Sequence, residues 1–189
     1  MMKAFQPIRS FLLLGSAFAV GLSAVAAPDK ANDPYALSAE ETHAIVQERG
    51  DEVLFLDVRD PVELMFTGAT NEVDANIPFL LMDRDRQGEN GMFAMPRNPH
   101  FTEEVAAALE EKGLSRDARI ITMCRSGSAR GRPSAEFLRE NGFPNTYYVR
   151  NGFQGGKLAG GMRSKNGWQN EGLPWTWSID GDKVYRVDR

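Results

Sequence analysis

The chain has very little of the residue types that bind metals or form disulfides. Its 189 residues include one cysteine, Cys124, and two histidines, His43 and His100, which lie in unrelated contexts. A single cysteine excludes an internal disulfide, and without a second cysteine there is no ligand set for a zinc or iron-sulfur site. The sequence therefore predicts no metal and no cofactor, and it leaves one free thiol for chemistry.

Acidic residues outnumber basic ones. The formal net charge is −4 at pH 7; without Lys3 and Arg9, which lie in the first 26 residues, 20 basic residues stand against 26 acidic ones, a net charge of −6. A chain this acidic is not expected to bind nucleic acid or an anionic membrane surface. Any site for an anion must therefore be local.

A long apolar run occurs only near the N-terminus. Lys3 and Arg9 precede an apolar stretch over 11–22, and Ala24-Val25-Ala26 follows it, which is the pattern of a secretory signal peptide over residues 1–26. At about a dozen residues the stretch is shorter than the roughly 20 that span a bilayer, although an uncleaved membrane anchor stays open as an alternative. We expect a mature protein that begins near Ala27, is periplasmic or secreted, and has no stable membrane association.

Helices and strands alternate along the rest of the chain. Ser38 and Glu41 form a capping box, Thr102 is the N-cap predicted for a second helix, and Pro133 fits the first turn of a third. The predicted helices cover 38–50, 102–113 and 133–142, and the predicted strands cover 53–58, 119–123 and 146–149. This alternation predicts an α/β domain with a parallel sheet that helices cover on both faces.

The pattern divides the rest of the chain into segments. We expect a linker over 27–36, one domain over 37–177 with an insertion at about 66–100, and a C-terminal tail over 178–189. The insertion lacks periodicity and contains Asn90-Gly91, a hairpin signal; it is either a lid over the cysteine loop or a surface excursion. A faint calcium-loop pattern there is rejected, because Ala94 stands where the bidentate glutamate belongs.

Aromatic residues are dense near the C-terminus, with Trp168, Trp175 and Trp177 within ten residues. Such a group usually covers an edge of the core, and a partner-binding surface is the alternative. The glycine-rich segment 155–161 lacks the spacing of a phosphate-binding loop and is predicted to be a flexible turn.

Cys124 ends the apolar strand 119–123 and opens a loop of small residues and arginines that leads into a helix. A loop of this kind, wrapped over a helix N-terminus, directs several N–H groups and the positive end of the helix dipole at one point, which favours the thiolate, the nucleophilic form of cysteine. A buried structural cysteine is the alternative. The candidate catalytic residue is Cys124, and the candidate substrate-binding residues follow it in the loop: Arg125, Ser126, Gly127, Ser128, Ala129 and Arg130.

Asp57 and Arg59 stand at the end of the strand 53–58. A carboxylate and an arginine in this position are expected to pair with each other and to support a neighbouring loop rather than to react. Arg132, just beyond the cysteine loop, is a third candidate for a supporting role.

Three segments together resemble a single rhodanese domain over about 37–175: Cys124-Arg125-Ser126-Gly127, the strand 53–59 with Asp60-Pro61-Val62-Glu63-Leu64 after it, and 142–153. The chain departs from the family in two places. The Gly-His-Ile-Pro-Gly-Ala segment that is common in the family is replaced by Thr67-Gly68-Ala69-Thr70 and a distant Asn76-Ile77-Pro78, and the active loop is one residue longer than the usual six.

The resemblance implies a three-layer sandwich with a central parallel sheet flanked by helices, and a thiosulfate-type sulfurtransferase. In such an enzyme the Cys124 thiolate takes the outer sulfur of a small anionic donor and passes it from a persulfide to cyanide or to a thiol acceptor, either a small molecule or a protein. Arg125 is expected to hold the donor with help from Arg130 or Arg132, and the loop N–H groups to stabilise the persulfide.

Two other functions stay open. The spacing from Cys124 to Arg130 is also Cys-X5-Arg, which resembles the cysteine-dependent phosphatases and the arsenate reductases and dual-specificity phosphatases that share the rhodanese fold. There the larger loop fits a tetrahedral oxyanion that the arginine clamps. The remaining alternative is a sulfur carrier or binding module without catalysis.

Overall fold

The computed structural model describes residues 33–89 and 91–186. The predicted signal peptide, most of the predicted linker, Asn90 and the last three residues lie outside the described residues. The elements are β1 (Ala36–Leu37), α1 (Ala39–Arg49), a 3₁₀ turn (Gly50–Glu52), β2 (Val53–Asp57), α2 (Pro61–Thr67), β3 (Ala75–Asn76), β4 (Asp83–Gln87), β5 (Phe93–Ala94), α3 (Phe101–Glu111), β6 (Arg119–Met123), α4 (Gly131–Glu140) and β7 (Thr146–Val149).

The main sheet has the strand order β1-β7-β6-β2-β3, and every neighbouring pair is parallel. All five residues of β2 are buried, as expected for a strand with helices on both faces. Leu54 and Leu56 pack in the same cluster as α3 and α4, whereas Phe55 packs on the opposite face with residues of α1. The predicted α/β class, with a parallel sheet between layers of helices, is confirmed.

The helix ends agree with the sequence prediction in one case and differ in another. At α1 the Ser38 Oγ accepts a hydrogen bond from the Glu41 N–H at 3.1 Å and the Ser38 N–H donates to the Glu41 carboxylate at 2.6 Å, so the capping box is present. Thr102 is not the N-cap of α3. The N-cap is His100, two residues earlier, and α3 begins at Phe101, which is 1% exposed and enters the core there.

The segment 66–100 is only partly an insertion. It contains β3, whose residues Ala75 and Asn76 pair with β2 in the main sheet. A strand of two residues has no periodicity that the sequence could reveal. The part that leaves the sheet is the antiparallel hairpin of β4 and β5, which lies in the region where a hairpin is predicted. The turn at Asn90 itself lies outside the described residues.

The predicted tail and linker both contribute to the domain. The carbonyl of Lys183 accepts a hydrogen bond from the Asn76 N–H at 2.7 Å, so residues beyond 178 continue along the free edge of β3. At the other end of the chain the Tyr35 carbonyl accepts from the Tyr148 N–H at 2.9 Å, beside β7. Among the described residues no helix has the length and apolar character required to cross a membrane.

The three tryptophans have different surroundings. Trp168 is fully buried, stacks near Phe55 with a centroid distance of 5.4 Å, and donates its indole N–H to the Pro174 carbonyl at 2.8 Å. Trp175 is 37% exposed and Trp177 is 66% exposed. The prediction that these aromatics cover the core is therefore confirmed for Trp168 and does not describe Trp177.

This difference gives a stability test with an internal control. Replacement of Trp168 by alanine leaves a large cavity under α1, and we expect a loss of about 3–5 kcal/mol in the free energy of unfolding. Trp177→Ala removes the same side chain from the surface and should change it by no more than about 0.5 kcal/mol. Urea unfolding followed by circular dichroism measures both, and equal losses in the two variants would contradict the assignment of Trp168 to the core.

Candidate active site

The cysteine loop begins where the main sheet ends. Residues 120–123 of β6 are buried and bring Cys124, itself fully buried, to the carboxyl edge of the sheet. β2 ends at the same edge, because Asp57 pairs in register with Met123 and the Val58 N–H donates to the Met123 carbonyl at 2.9 Å. The two segments that the sequence singled out are therefore brought together.

The loop 124–130 closes over the N-terminus of α4. The Arg132 N–H donates to the Gly127 carbonyl at 2.9 Å, and a Cβ atom on Gly131, the first residue of the helix, would lie 3.5 Å from the Cys124 Sγ. The Thr122 hydroxyl fixes this end of the helix by donating to the Gly131 carbonyl at 2.9 Å. The sulfur thus lies against the positive end of a ten-residue helix.

Two glycines let the loop dock on the turn after β7. Gly127 has φ +77°, and a Cβ atom there would lie 1.9 Å from the Arg150 carbonyl oxygen. Gly152 has φ +59°, and a Cβ atom there would lie 2.1 Å from the Cys124 carbonyl oxygen. That oxygen accepts a hydrogen bond from the Phe153 N–H at 2.8 Å. No other residue type fits these two close approaches, so both glycines serve loop geometry.

Arg130 is tied to α2 rather than free in the loop. It is 8% exposed, and its two terminal nitrogens form a bidentate ion pair with the Glu63 carboxylate. Burial by itself lowers the pKa of Arg130, but the hydrogen bond and charge of Glu63, with the charge of Cys124, outweigh burial and raise the pKa above its ordinary value. Its Nε is buried and has no hydrogen-bond partner among the described residues. One donor of a permanently charged group is therefore left for an acceptor atom in the site.

Arg125 faces the opening of the site. It is partly exposed, and its Nε donates to the Gln154 side-chain carbonyl at 2.8 Å. Partial burial and the neighbouring charge of Arg163 lower the pKa of Arg125, with smaller contributions of the same sign from Arg130 and Arg59. Positive charge is thus concentrated around the loop although the chain as a whole is acidic.

Asp57 and Arg59 form the expected ion pair. Both are fully buried; the Arg59 Nε lies 2.9 Å from the Asp57 Oδ1, and its Nη1 donates to the Thr67 hydroxyl at 2.7 Å. The guanidinium also lies 4.4 Å from the centre of the Phe153 ring. These contacts occupy Arg59 and place it beneath the loop as a support.

The remaining candidates lie farther out. Ser128 and Ala129 are exposed at the loop tip, and the Ser128 hydroxyl lies 3.2 Å from that of Ser126. Arg132 points away from the loop: its Nε lies 2.8 Å from Glu136 and 3.5 Å from Asp33. As the second residue of α4 it cannot share the orientation of Arg130. A role for Arg132 in holding substrate is not favoured by these contacts.

A cavity of about 450 Å³ opens beside the loop. It is lined by Asp60, Val62, Glu63, Phe66, Thr67, Met82, Met95, Arg125 and Arg130. Of these residues, the sequence identified only Arg125 and Arg130 as candidates for binding substrate. Asp60 followed by Pro61 is the pattern of an N-cap and a first-turn proline, and it could have predicted helix α2. Glu63 lies in the first turn of that helix. The methionines carry no such signal, since their positions depend on the hairpin.

A larger cavity, about 510 Å³, lies between β3, α3 and residues 182–186 and includes no residue of the cysteine loop. Within residues 33–89 and 91–186 no three His, Cys, Asp or Glu side chains cluster in a way that could hold a metal ion.

Known proteins resemble the chain in sequence and in fold. The family model for the rhodanese-like domain matches residues 38–159. The crystal structure of Rv0390 from M. tuberculosis superposes with a TM-score of 0.57 at 26% identity, covering 76% of this chain and 97% of that one. Thiosulfate sulfurtransferase from Pseudomonas aeruginosa shares the fold at 19% identity and a TM-score of 0.50, covering 80% of this chain and 21% of that one. No curated protein sequence matches.

The strand order, the cysteine loop at the carboxyl edge of the sheet and the family match over 38–159 agree with the resemblance seen in the sequence. The chain belongs to the rhodanese-like domain family.

Proposed function

We propose that the protein is a sulfurtransferase that carries a sulfane sulfur on Cys124. The observation that supports this most directly is the position of the Cys124 Sγ against the first residue of α4, at the base of a loop that also holds Arg125 and Arg130. A helix N-terminus stabilises a nearby negative charge, both on a thiolate and on the persulfide that replaces it.

The reaction proceeds in two balanced steps. The Cys124 thiolate attacks the outer sulfur of thiosulfate, the bond between the two sulfur atoms of the donor breaks, and sulfite leaves with the electron pair. Cyanide or a thiolate acceptor then attacks the outer sulfur of the persulfide and returns Cys124 as the thiolate. Sulfite is a good leaving group and needs no proton, which suits a cavity whose lining contains no histidine.

Arginine supplies the attraction for the anionic donor. Arg125 lines the cavity and binds Gln154 through its Nε, and Arg130 lines the same cavity and has a buried Nε without a partner among the described residues. Buried charge-assisted hydrogen bonds of this kind are stronger than neutral ones. The donor therefore has a local binding site in an otherwise acidic protein.

The contacts of Arg130 do not favour a phosphatase or an arsenate reductase. An oxyanion clamp needs both terminal nitrogens of the arginine, and Glu63 occupies them. The carboxylates nearby are also engaged: Asp57 binds Arg59, and Asp60 accepts from the Val62 and Met82 N–H groups at 3.0 and 2.8 Å. Neither has the freedom of a general acid for a phosphate leaving group.

The proposed place of action is outside the cytoplasm, as a periplasmic or secreted enzyme, on the basis of the signal-peptide pattern over residues 1–26. The proposed partners are a small anionic sulfur donor and a thiol acceptor.

The central prediction concerns Cys124. After exposure to thiosulfate the intact mass of the protein should increase by one sulfur atom, and cyanide should remove it. Because the chain has no other cysteine, the added mass reports on one residue. Cys124→Ser should gain no sulfur and form no thiocyanate, while its circular dichroism spectrum stays that of the wild type. Thiocyanate formation by this variant would contradict the proposal.

We expect Arg125 to raise kcat/KM for an anionic sulfur donor more than for an uncharged one. Arg125→Ala removes a cation from the cavity, and we expect kcat/KM to fall about tenfold for thiosulfate, which corresponds to one charge-assisted hydrogen bond, and much less for an uncharged organic trisulfide. Arg49→Ala is the control, since Arg49 is exposed and pairs with Glu52 at the opposite end of β2. Equal losses with both donors would show that Arg125 serves the loop structure.

The two catalytic classes can be separated on the same protein. We expect measurable turnover of thiosulfate, weak inhibition by vanadate and negligible hydrolysis of an aryl phosphate, because Glu63 blocks the arginine fork that a tetrahedral oxyanion requires. Comparison of kcat/KM for the two substrates is the measurement, with Arg130→Lys as the probe. A preference for the aryl phosphate that Arg130→Lys abolishes would establish the phosphatase instead.

A further inference from the structure

Acidic residues are absent from one long stretch of an otherwise acidic chain. Residues 141–170 contain no aspartate or glutamate, although the whole chain of 189 residues has 26 of them. Within this stretch, the loop 156–166, which we name the basic loop, carries Lys157, Arg163 and Lys165. The match to the family model ends at residue 159, so the larger part of the basic loop lies outside the matched residues. Membership of the family therefore does not explain the charge of this loop.

The basic loop begins beside the opening of the active site. Gln154, two residues before it, contacts Arg125 twice: the Gln154 N–H donates to the Arg125 carbonyl at 2.8 Å, and the Gln154 side-chain carbonyl accepts from the Arg125 Nε at 2.8 Å. Partial burial and then the charge of Arg163, in the second half of the loop, lower the pKa of Arg125. The basic loop therefore adds positive charge to the entrance that leads to Cys124.

Contacts between its two ends fix the base of the loop. The Gly156 N–H donates to the Asn166 side-chain carbonyl at 3.0 Å, and the Nη1 of Arg163 donates to the Gly155 carbonyl. A Cβ atom on Gly155 would lie 1.9 Å from the Asn166 carbonyl oxygen, so the two ends are in direct contact. Arg163 therefore holds the base of the loop in addition to contributing charge.

The tip of the loop is apolar, and an exposed lysine lies on each side of it in the sequence. The Leu158 N–H donates to the Met162 carbonyl at 2.7 Å and closes the tip. Leu158 is 39% exposed and Met162 is 68% exposed. Lys157 and Lys165 are exposed too, and among residues 33–89 and 91–186 no carboxylate lies at salt-bridge distance from either. Apolar surface with charge around it is the composition of a protein interface, whereas a small anion would need only the cations.

We propose that the basic loop is the docking surface for a protein partner whose surface is acidic around the thiol that accepts the sulfur of Cys124. The inference rests on the proposed sulfurtransferase function and specifies the acceptor. Carboxylates of the partner bind Lys157 and Lys165, and apolar side chains of the partner cover Leu158 and Met162. Complementary charge of this kind speeds association and orients the partner, so that its thiol arrives at the entrance of the site.

A polyanion fits this surface less well than an acidic protein does. Nucleic acids are bound through many phosphate contacts along an extended basic surface, and the basic loop offers three cations on a chain with a net charge of −4. The same shortage of cations disfavours an anionic membrane. An acidic patch on a protein needs only the few complementary charges that the loop has.

The transfer to such a partner needs no oxidant and no proton. The thiolate of the partner attacks the outer sulfur of the Cys124 persulfide and forms a new sulfur–sulfur bond. The bond from that sulfur to the Cys124 Sγ breaks, and Cys124 leaves as the thiolate with the electron pair. One thiolate and one persulfide anion thus become one persulfide anion and one thiolate.

Two capped pentapeptides with a central cysteine test the inference: one has two glutamates on each side of the cysteine, and the other has two glutamines. Each is mixed with protein that thiosulfate has loaded with one sulfur atom, and the transfer rate is read from the loss of that mass. The variants are the loop variant Lys157→Gln/Lys165→Gln and the control Arg49→Gln/Arg116→Gln. The control removes the same charge from exposed arginines that precede β2 and β6, at the edge of the sheet opposite Cys124.

At about 0.1 M ionic strength, where the Debye length is about 10 Å and only nearby charges act, we expect the ratio of the rate with the acidic peptide to that with the neutral peptide to fall about fivefold in the loop variant. The ratio should keep its wild-type value in the control. In the wild type it should fall by a similar factor at about 1 M, where the Debye length is about 3 Å. The flanking carboxylates also change the reactivity of the peptide thiol, and the comparison of variant with wild type removes this effect.

A second pair of acceptors, mercaptoacetate and mercaptoethanol, distinguishes a docking surface from a field that attracts any small anion. The first carries one negative charge and the second carries none, and neither is large enough to contact the loop while its thiol reacts. Their rate ratio should stay within about twofold of the wild-type value in the loop variant. Complete loading of the loop variant by thiosulfate shows that its active site is intact.

An unchanged peptide ratio in the loop variant, or an equal fall in the control, would overturn the inference and leave the sulfurtransferase function standing. An equal fall with mercaptoacetate would overturn it as well, because the loop would then attract small anions only. Binding to anionic vesicles or to an oligonucleotide that requires Lys157 and Lys165, with an unchanged peptide ratio, would assign the loop to another macromolecule. Failure of thiosulfate to add sulfur to the wild type would overturn the proposed function itself, and the inference with it.

Discussion

The buried ion pair of Asp57 and Arg59 holds the active end of the molecule together. Asp57 ends β2, Arg59 reaches the hydroxyl of Thr67 at the end of α2, and its guanidinium lies against the Phe153 ring. The Phe153 N–H in turn binds the Cys124 carbonyl. Three segments that meet around the cysteine therefore share one support. Loss of one partner of a fully buried ion pair costs about 3–5 kcal/mol, because the other charge is left unpaired.

The three arginines around the cysteine have different roles. Arg59 and Arg130 are both buried and both paired with a carboxylate, so their charges organise the structure and contribute little net field. Arg125 binds the neutral Gln154, and within residues 33–89 and 91–186 no carboxylate lies at salt-bridge distance from it, so its charge is left for the cavity. A chain with a net charge of −4 can in this way offer an anion a favourable site over a distance of a few ångströms.

Elements with a strong local signal could be predicted from the sequence. Three features are each encoded by a short stretch of consecutive residues, and the structure contains all of them: the capping box at Ser38, the buried strands β2 and β6, and the cysteine loop. The start of α3 could not be predicted to the residue, because burial of Phe101 outweighs the capping preference of Thr102. β1 and β3 have two residues each, too few for a pattern, and owe their existence to the strand beside them.

The candidate site also contains residues that the sequence could predict and residues that it could not. Cys124 and its loop could be identified because the glycines, serines and arginines are adjacent in the sequence. Glu63 lies 67 residues from Arg130, and the apolar residues that line the cavity beside the loop come from α2 and from both sides of the β4–β5 hairpin. No local pattern indicates that these residues meet. Glu63 determines whether the Arg130 guanidinium can bind a ligand, and the lining residues determine the size and polarity of the cavity. These are the properties that the sequence did not predict.

The length of the loop illustrates why a spacing alone does not assign a reaction. One residue more than the usual six places Arg130 as the residue before α4, where its side chain is directed to α2 and is captured by Glu63. The same Cys-X5-Arg spacing with an uncharged residue at position 63 would leave the guanidinium fork free for an oxyanion. The chemistry available to Cys124 therefore depends on a contact between two distant segments. The carboxylate of Glu63 occupies the fork that a phosphate would need, and this contact is why we propose sulfur transfer rather than phosphate chemistry.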